Sequence, residues 1–326
     1  MRKVVLVTTG GTIASRMDAA RGYVAATASG RELLGLLPAP LPDIDVELDE
    51  FCNVGSYRID LHLAFGLARR IDAHLARPDV DGVAVTHGTD TMEESVFLAD
   101  LVVTNDKPVI FTGAQRNADE HDTDGPRNLA DAIRLAASGL RGLGAVILFD
   151  QEFHAARDVT KTHAYRTDTF ASMEHGKLGE IDGERISLQR RPLLRATIRT
   201  ELVEPAVDLV RLVMGSDARF VRCAMESGAK GLVIEGFGRG NATPPVVEAV
   251  SEATAAGMVV VITSRCPQGR TAAIYGGGGG GKDLAQAGAI FAGDLTGVKA
   301  RILLSVLLGS AASQEAIAAC FTQLGG

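Results

Sequence analysis

The sequence predicts an α/β protein of two domains, each with a mostly parallel sheet flanked by helices, the N-terminal domain the larger and the C-terminal the smaller. Three observations carry this. Short unbroken apolar runs alternate with longer stretches of helical periodicity, and such runs mark strands buried on both faces, as in parallel sheets. The chain has 326 residues, more than a single hydrophobic core usually serves. A proline- and arginine-bearing stretch without clean periodicity, RRPLLRATIRTELVEPAV, interrupts the pattern before it resumes. The expected division is therefore residues 1–190, a linker at 191–207, and residues 208–326.

In the first domain, Val4–Val7 reads as a buried strand running into Gly10-Gly11. Gly82–Thr86 ends at His87-Gly88, Pro108–Thr112 ends at Gly113, and Gly144–Phe149 is a fourth strand. Leu61–Ala76 and Leu129–Leu140 place apolar residues at helical spacing with polar residues opposite, as amphipathic helices do. Asp208–Met214, Gly231–Ile234 and Met258–Thr263 repeat the strand rhythm in the second half. Strand and helix in alternation imply right-handed crossovers and a parallel sheet.

Composition excludes several function classes. The net charge is −7 and no basic stripe runs through the chain, so a nucleic-acid partner is not expected. Arg190, Arg191, Arg195 and Arg199 read as a solvated linker. No apolar run reaches bilayer length, and Val4–Val7 is too short for the core of a signal peptide, so no membrane partner is expected. Cys52, Cys223, Cys266 and Cys320 are scattered without a CxxC pair, which points to reduced thiols and a cytoplasmic setting. The seven histidines show no HxH or HxxxH spacing, so a metal is not expected. GFGRGN over residues 236–241 brings its third glycine one residue too early for a dinucleotide loop. The six glycines Gly276–Gly281 read as a flexible loop near a site or an interface.

Chemistry concentrates at strand ends, where open α/β sheets bind ligands. TTGGTIAS puts Thr12 just beyond two glycines that allow a sharp turn and close approach of a ligand. Thr12 is thus a candidate nucleophile or a mere turn former. VTHGTDTMEES carries Thr89 and Asp90 directly after a strand, where they could either react or cap the next helix. His87 reads as a packing or backbone-bonded residue. Lys161, between Thr160 and Thr162, gains meaning only if it is buried against a hydroxyl.

Together these motifs resemble the bacterial-type L-asparaginase/glutaminase family. TTGGTIAS and THGTDTMEE match its two signatures. NVGS (53–56), GAQR (113–116), DGPRNL (124–129), RDVTKT (157–162), GFGRGN and KARILL (299–304) extend the match over nearly the whole chain. The resemblance implies hydrolysis of the asparagine side-chain amide to aspartate and ammonia, without cofactor or metal. It also implies a homotetramer built as a dimer of intimate dimers, with the site between subunits. Residue by residue, Thr12 matches the nucleophile and Tyr23 the tyrosine that assists it from a lid segment. Thr89, Asp90 and Lys161 match a second catalytic cluster. Gly11, Ser56, Tyr57, Gly88 and Ala114 fall at substrate-contact positions. Asn241 matches a residue reaching in from a neighbouring subunit.

Two departures stand out. Tyr57 replaces the glutamine of the periplasmic-type members, and the expected ammonium-binding glutamate falls at Tyr275-Gly276. These changes predict low glutaminase activity and weaker dependence on the substrate's α-amino group. Two further readings remain. A non-catalytic amino-acid-binding module on the same fold would not need two activated hydroxyls. A tRNA-linked amidase subunit would be expected to carry an additional domain.

Overall fold

The structure, a computed structural model, describes residues 1–18 and 22–326, with side chains for all of these except residues 18 and 23–26. It forms two compact units, Met1–Thr197 and Ile198–Gly326.

The first unit contains β1 (Arg2–Gly10), β2 (Ser15–Asp18), β3 (Tyr23–Ala26), α1 (Gly30–Gly35), β4 (Ile44–Val54), α2 (Leu61–Leu75), β5 (Gly82–Thr86), α3 (Met92–Val102), β6 (Val109–Thr112), α4 (Gly125–Ala137), β7 (Ala145–Phe149), β8 (Glu152–Ala155), β9 (Thr160–Lys161), β10 (Phe170–Ala171), β11 (Gly179–Asp182) and β12 (Arg185–Leu188). Its main sheet, among the described residues, has the order β12-β11-β8-β7-β6-β5-β1-β4. The five strands from β4 to β7 are parallel, and β8, β11 and β12 extend the sheet antiparallel.

The predicted strands are present, with shifts at their ends. β1 runs longer than Val4–Val7 because Arg2 and Lys3 pair with Ile44 and Asp45 of β4. That partner strand, IDVELDEFCNV, alternates apolar and acidic residues as a half-exposed edge strand does. Its acids are paired: Arg70 and His74 of α2 hold Asp49, and Arg77 holds Glu47. Asp60 caps α2 by accepting from the Leu63 N–H at 2.8 Å. α4 begins four residues before Leu129, because Pro126 sits at the helix start, where a missing N–H costs nothing. It ends before Gly139, whose φ of 75° is left-handed.

Both sheet faces are covered. Val4, Leu6, Ala84, Ile110, Val146 and Leu148 pack with Leu129, Ala132 and Ile133 of α4. Val5, Val7, Val83 and Val85 on the other face are equally buried, where α2 and α3 pack. The chain leaves β1 for β4 on one side and returns to β5 on the other. The C-terminal ends of β1 and β5 therefore flank a topological switch point, the place where such sheets open a crevice.

The second unit contains β13 (Val207–Arg211), α5 (Arg219–Glu226), β14 (Gly231–Gly236), α6 (Pro244–Ala255), β15 (Val259–Ser264), α7 (Gly281–Gln286), β16 (Ile290–Phe291), α8 (Gly297–Gly309) and α9 (Gln314–Leu324). Its four strands are parallel in chain order. The glycine run is more ordered than a flexible loop. Gly279 O accepts from Ala242 N at 2.8 Å, Tyr275 O accepts from Lys282 N at 2.7 Å, and Gly281 opens α7.

Two buried histidines make the fold acid-sensitive. His154 on β8 bonds Ser172 Oγ through Nδ1 at 3.0 Å, and burial pulls its pKa down from 6.5 to about 4. His87 is also pulled down to about 4, by burial, against the opposing effect of the Gly88 carbonyl. A histidine depressed in the native state costs nothing above its unfolded pKa and loses stability as pH falls from about 6.5 to 4. The loss approaches about 3 kcal/mol per histidine at most. Unfolding temperature should therefore fall steadily between pH 6.5 and 4, and His154→Gln should remove part of that slope. An unchanged slope in the variant would contradict the assignment.

Candidate active site

β1 delivers its chain end into the crevice through Gly10 and Gly11, with φ of 100° and 80°. Gly11 N donates to Val54 O at 3.0 Å and Ser15 Oγ donates to Gly11 O at 2.8 Å, fixing the turn from both sides. The turn leads into a short 3-10 helix, Thr12–Ala14, whose Ile13 and Ala14 are buried while Thr12 is half-buried. A Cβ at Gly11 would lie 2.5 Å from Gly88 Cα and N, so the β1 and β5 loops meet backbone to backbone.

β5 ends at His87, which is fully buried. Its Nδ1 lies 2.7 Å from Gly88 O. A carbonyl only accepts, so Nδ1 carries the proton. That bond pins the Gly88–Thr89 peptide, and a trans peptide points its N–H opposite to its C=O. The Thr89 N–H is thereby aimed away from the buried ring. Neither Thr89 nor Asp90 caps α3. Thr91 occupies the cap position and donates its hydroxyl to Ser56 O at 2.9 Å, which leaves the two preceding side chains for the crevice. Ser56, buried against Gly88, accepts from Asp90 N at 3.2 Å.

Lys161 lies on β9, which pairs with β10. The Phe170 ring on β10 packs on Phe149 at 5.1 Å, tying this hairpin to the main sheet. Lys161 Nζ donates to Thr89 Oγ1 at 2.8 Å and to Asp90 Oδ1 at 3.3 Å. An ammonium can only donate, so the Thr89 oxygen accepts and its own hydrogen goes elsewhere. It goes to Gln115 Oε1, 3.0 Å away. The condition set for Lys161 in the sequence is met: it sits against a hydroxyl with only 16% of its side chain exposed.

Gln115 was not singled out in the sequence beyond its place in GAQR. Its loop is braced by Asp124, whose carboxylate accepts from the Gln115 and Arg116 N–H groups at 3.0–3.1 Å and from Asn128 Nδ2 at 3.1 Å. Asn128 Nδ2 also donates to Gly113 O at 3.0 Å. The DGPRNL stretch thus supports the site from beneath.

These loops enclose a cavity of about 580 Å³. Gly11, Thr12, Ser56, Tyr57, Gly88, Thr89 and Asp90 all line it, as do Gln115, Arg58 and Glu120. Tyr57 stands at the rim, 77% exposed, with its ring over Gly55. Ala114 is buried beside Gln115. A second cavity of about 420 Å³ lies by Asp100, Arg157, Asp158, Arg190 and Arg195. Arg195 pairs there with Asp100, and Arg157 and Arg190 pair with Asp158, and none of its lining residues carries a hydroxyl. The side chain of Tyr23 lies outside the described residues. Asn241 and Tyr275 belong to the second unit, where Asn241 Oδ1 accepts from Gly281 N at 3.1 Å and Tyr275 is exposed. Among the described residues no cluster of histidine, cysteine or acidic groups has the makings of a metal site, and no helix is long and apolar enough to cross a membrane.

The family profile described as asparaginase, N-terminal, matches residues 3–194, and that of the glutaminase/asparaginase C-terminal domain matches residues 206–321. The chain belongs to the asparaginase family. Among curated relatives, an L-asparaginase of Bacillus licheniformis is 34% identical over 310 residues, covering 95% of this chain and 96% of its own. A probable L-asparaginase of Deinococcus radiodurans is 36% identical over 329 residues, covering 98% and 97%. Among solved structures, a probable cytoplasmic L-asparaginase from Campylobacter jejuni superposes with a TM-score of 0.88 at 27% identity, covering 99% of this chain and all of that one. In this asparaginase-family chain the two profiles leave out residues 195–205, within the stretch 189–206 that contains no helix or strand.

The Asp124 brace is open to test. Removing a charged acceptor from three donors leaves partly buried N–H groups unpaired, at a cost of about 2–3 kcal/mol. Asp124→Ala should lower the unfolding free energy by that amount in a urea titration. An unshifted midpoint would show that the loop does not depend on it.

Proposed function

We propose that this chain hydrolyses the side-chain amide of L-asparagine to L-aspartate and ammonia. The observation that carries the reading is the Lys161–Thr89–Gln115 hydrogen-bonded chain, whose Thr89 and Gln115 line the cavity that Thr12 also lines. Membership of the asparaginase family supports it. Thr12 Oγ adds to the amide carbon, the C–N bond breaks, and ammonia leaves with the proton that the Thr12 hydroxyl gave up. The resemblance gives Tyr23 the part of assisting that proton transfer. Water then adds to the acyl-enzyme ester. One water proton reaches the departing Thr12 oxygen through the Thr89 hydroxyl, which Lys161 orients, and the acid product gives its other proton to solvent and leaves as the carboxylate. Backbone N–H groups near Thr12 and Thr89 hold the oxyanion. Asp90 faces the substrate ammonium and Ser56 its α-carboxylate. Gly11, Gly88 and Ala114 contribute backbone, and Tyr57 narrows the entrance against the longer glutamine.

In the same proposal, residues 1–190 form the catalytic domain, 191–207 the linker, and 208–326 a domain that completes the site across an intimate dimer through Asn241 and Tyr275. Two such dimers make the tetramer. Placement in the cytoplasm is supported by the description of the Campylobacter relative.

Ammonia release from asparagine, glutamine and succinamate tests the reading. The wild type should release ammonia from asparagine, and Thr12→Ala should reduce kcat by about a thousandfold or more, the scale on which losing a nucleophile acts. Succinamate should be turned over and glutamine should be poor. Full activity in Thr12→Ala would remove Thr12 from the mechanism. Glutamine equal to asparagine in kcat/KM, with succinamate inert, would remove the roles given to Tyr57 and Tyr275.

A further inference from the structure

The charges on the cavity wall are unequally committed. Asp90 accepts from Lys161 at 3.3 Å. Glu120 accepts from the backbone and side-chain nitrogens of Asn117 at 3.0 and 2.8 Å. Arg58 lines the same cavity; its backbone N–H donates to Gly55 O at 2.9 Å, and its guanidinium has no ion-pair or hydrogen-bond partner among the described residues. Other arginines of this unit do have partners: Arg70 reaches Asp49 at 2.7 Å, and Arg116 pairs with Asp122. Glu120 meets only the neutral Asn117, and among the described residues that line this cavity Arg58 is the one cation, although the protein as a whole is acidic.

Its neighbour strengthens the point. Arg58 closes the short 3-10 helix Ser56–Arg58, two residues after Ser56. Ser56 Oγ already accepts from Asp90 N, so its hydroxyl hydrogen is left to donate into the cavity. A guanidinium offers five N–H donors in a planar fork and no acceptor. Ser56 and Arg58 together present donors alone, one of them charged, which is the chemistry that grips a carboxylate.

Resting on the amide-hydrolysis reading, we infer that Arg58 is a specificity-determining residue that pairs with the free carboxylate of the substrate at the end away from the scissile amide. The preferred substrates are then small ω-amides that carry a carboxylate. The α-amino group matters less, because Asp90 divides its charge between the substrate and Lys161.

The test compares asparagine with 3-aminopropanamide, which is asparagine without its carboxylate, by ammonia release from Arg58→Gln and Arg58→Lys. Arg58→Gln should raise KM for asparagine by roughly 10–30-fold, the lower part of the charge-assisted range for a group that is exposed until substrate covers it. Its kcat should stay within about threefold, and kcat/KM for 3-aminopropanamide should not change. Arg58→Lys, which keeps the charge but loses the fork, should recover part of the loss. Competitive inhibition by succinate gives a second reading that does not need turnover of the decarboxylated amide, and its Ki should rise by the same factor in Arg58→Gln. An unchanged asparagine KM and succinate Ki would overturn the inference, as would an equal loss on both amides. Silence of the wild type on asparagine would overturn the amide-hydrolysis reading itself, and the inference with it.

Discussion

The site depends on one steric constraint, the backbone contact between Gly11 and Gly88. These residues end the two strands that flank the switch point, and a side chain on Gly11 would have to occupy space already filled by the Gly88 backbone. A closer approach of two loops is not available to residues with a Cβ. The contact lets Thr12 from one loop and Thr89 from the other line a single cavity.

Other features of the region hold that contact in place. His87 fixes the Gly88 carbonyl from the core side. Ser56 packs against Gly88 from the β4 side and takes up the Asp90 N–H. Asp124 and Asn128 brace the loop after β6, which brings Gln115 to Thr89. The result is a chain of donors and acceptors in which Lys161 sets the direction: an ammonium can only donate, so the Thr89 hydrogen is turned towards Gln115. Preorganised polar groups of this kind need no rearrangement when charge develops in a reaction.

Most of this layout is legible in the sequence, for reasons that differ between elements. The central strands are readable because burial on both faces makes them continuous apolar runs, as in Gly82–Thr86. β4 is harder to see, since its apolar residues alternate with acids whose cationic partners lie on α2 and just beyond its end, many residues away. β8, β11 and β12 are short and antiparallel, and nothing local separates them from loops. The candidate hydroxyls of Thr12 and Thr89 announce themselves by their glycine neighbours. Gln115 and Arg58 do not, because Gln115 matters through the partner it finds in Thr89 and Arg58 through a guanidinium with no partner among the described residues. The glycine run 276–281 misleads in the opposite direction: it suggests slack, yet its last members are hydrogen-bonded and open a helix.

The central claim is that the contact between the β1 and β5 loops creates the site. Gly11→Ala tests it most directly, because a methyl group there meets Gly88 Cα and N at 2.5 Å and must also accept a φ of 80°. The measurement is kcat/KM for ammonia release from asparagine, with circular dichroism to confirm that the two sheets still form. The account predicts a folded protein whose kcat/KM falls by about a hundredfold or more, as small misplacements of reacting groups do. A folded Gly11→Ala protein with wild-type kcat/KM would contradict it.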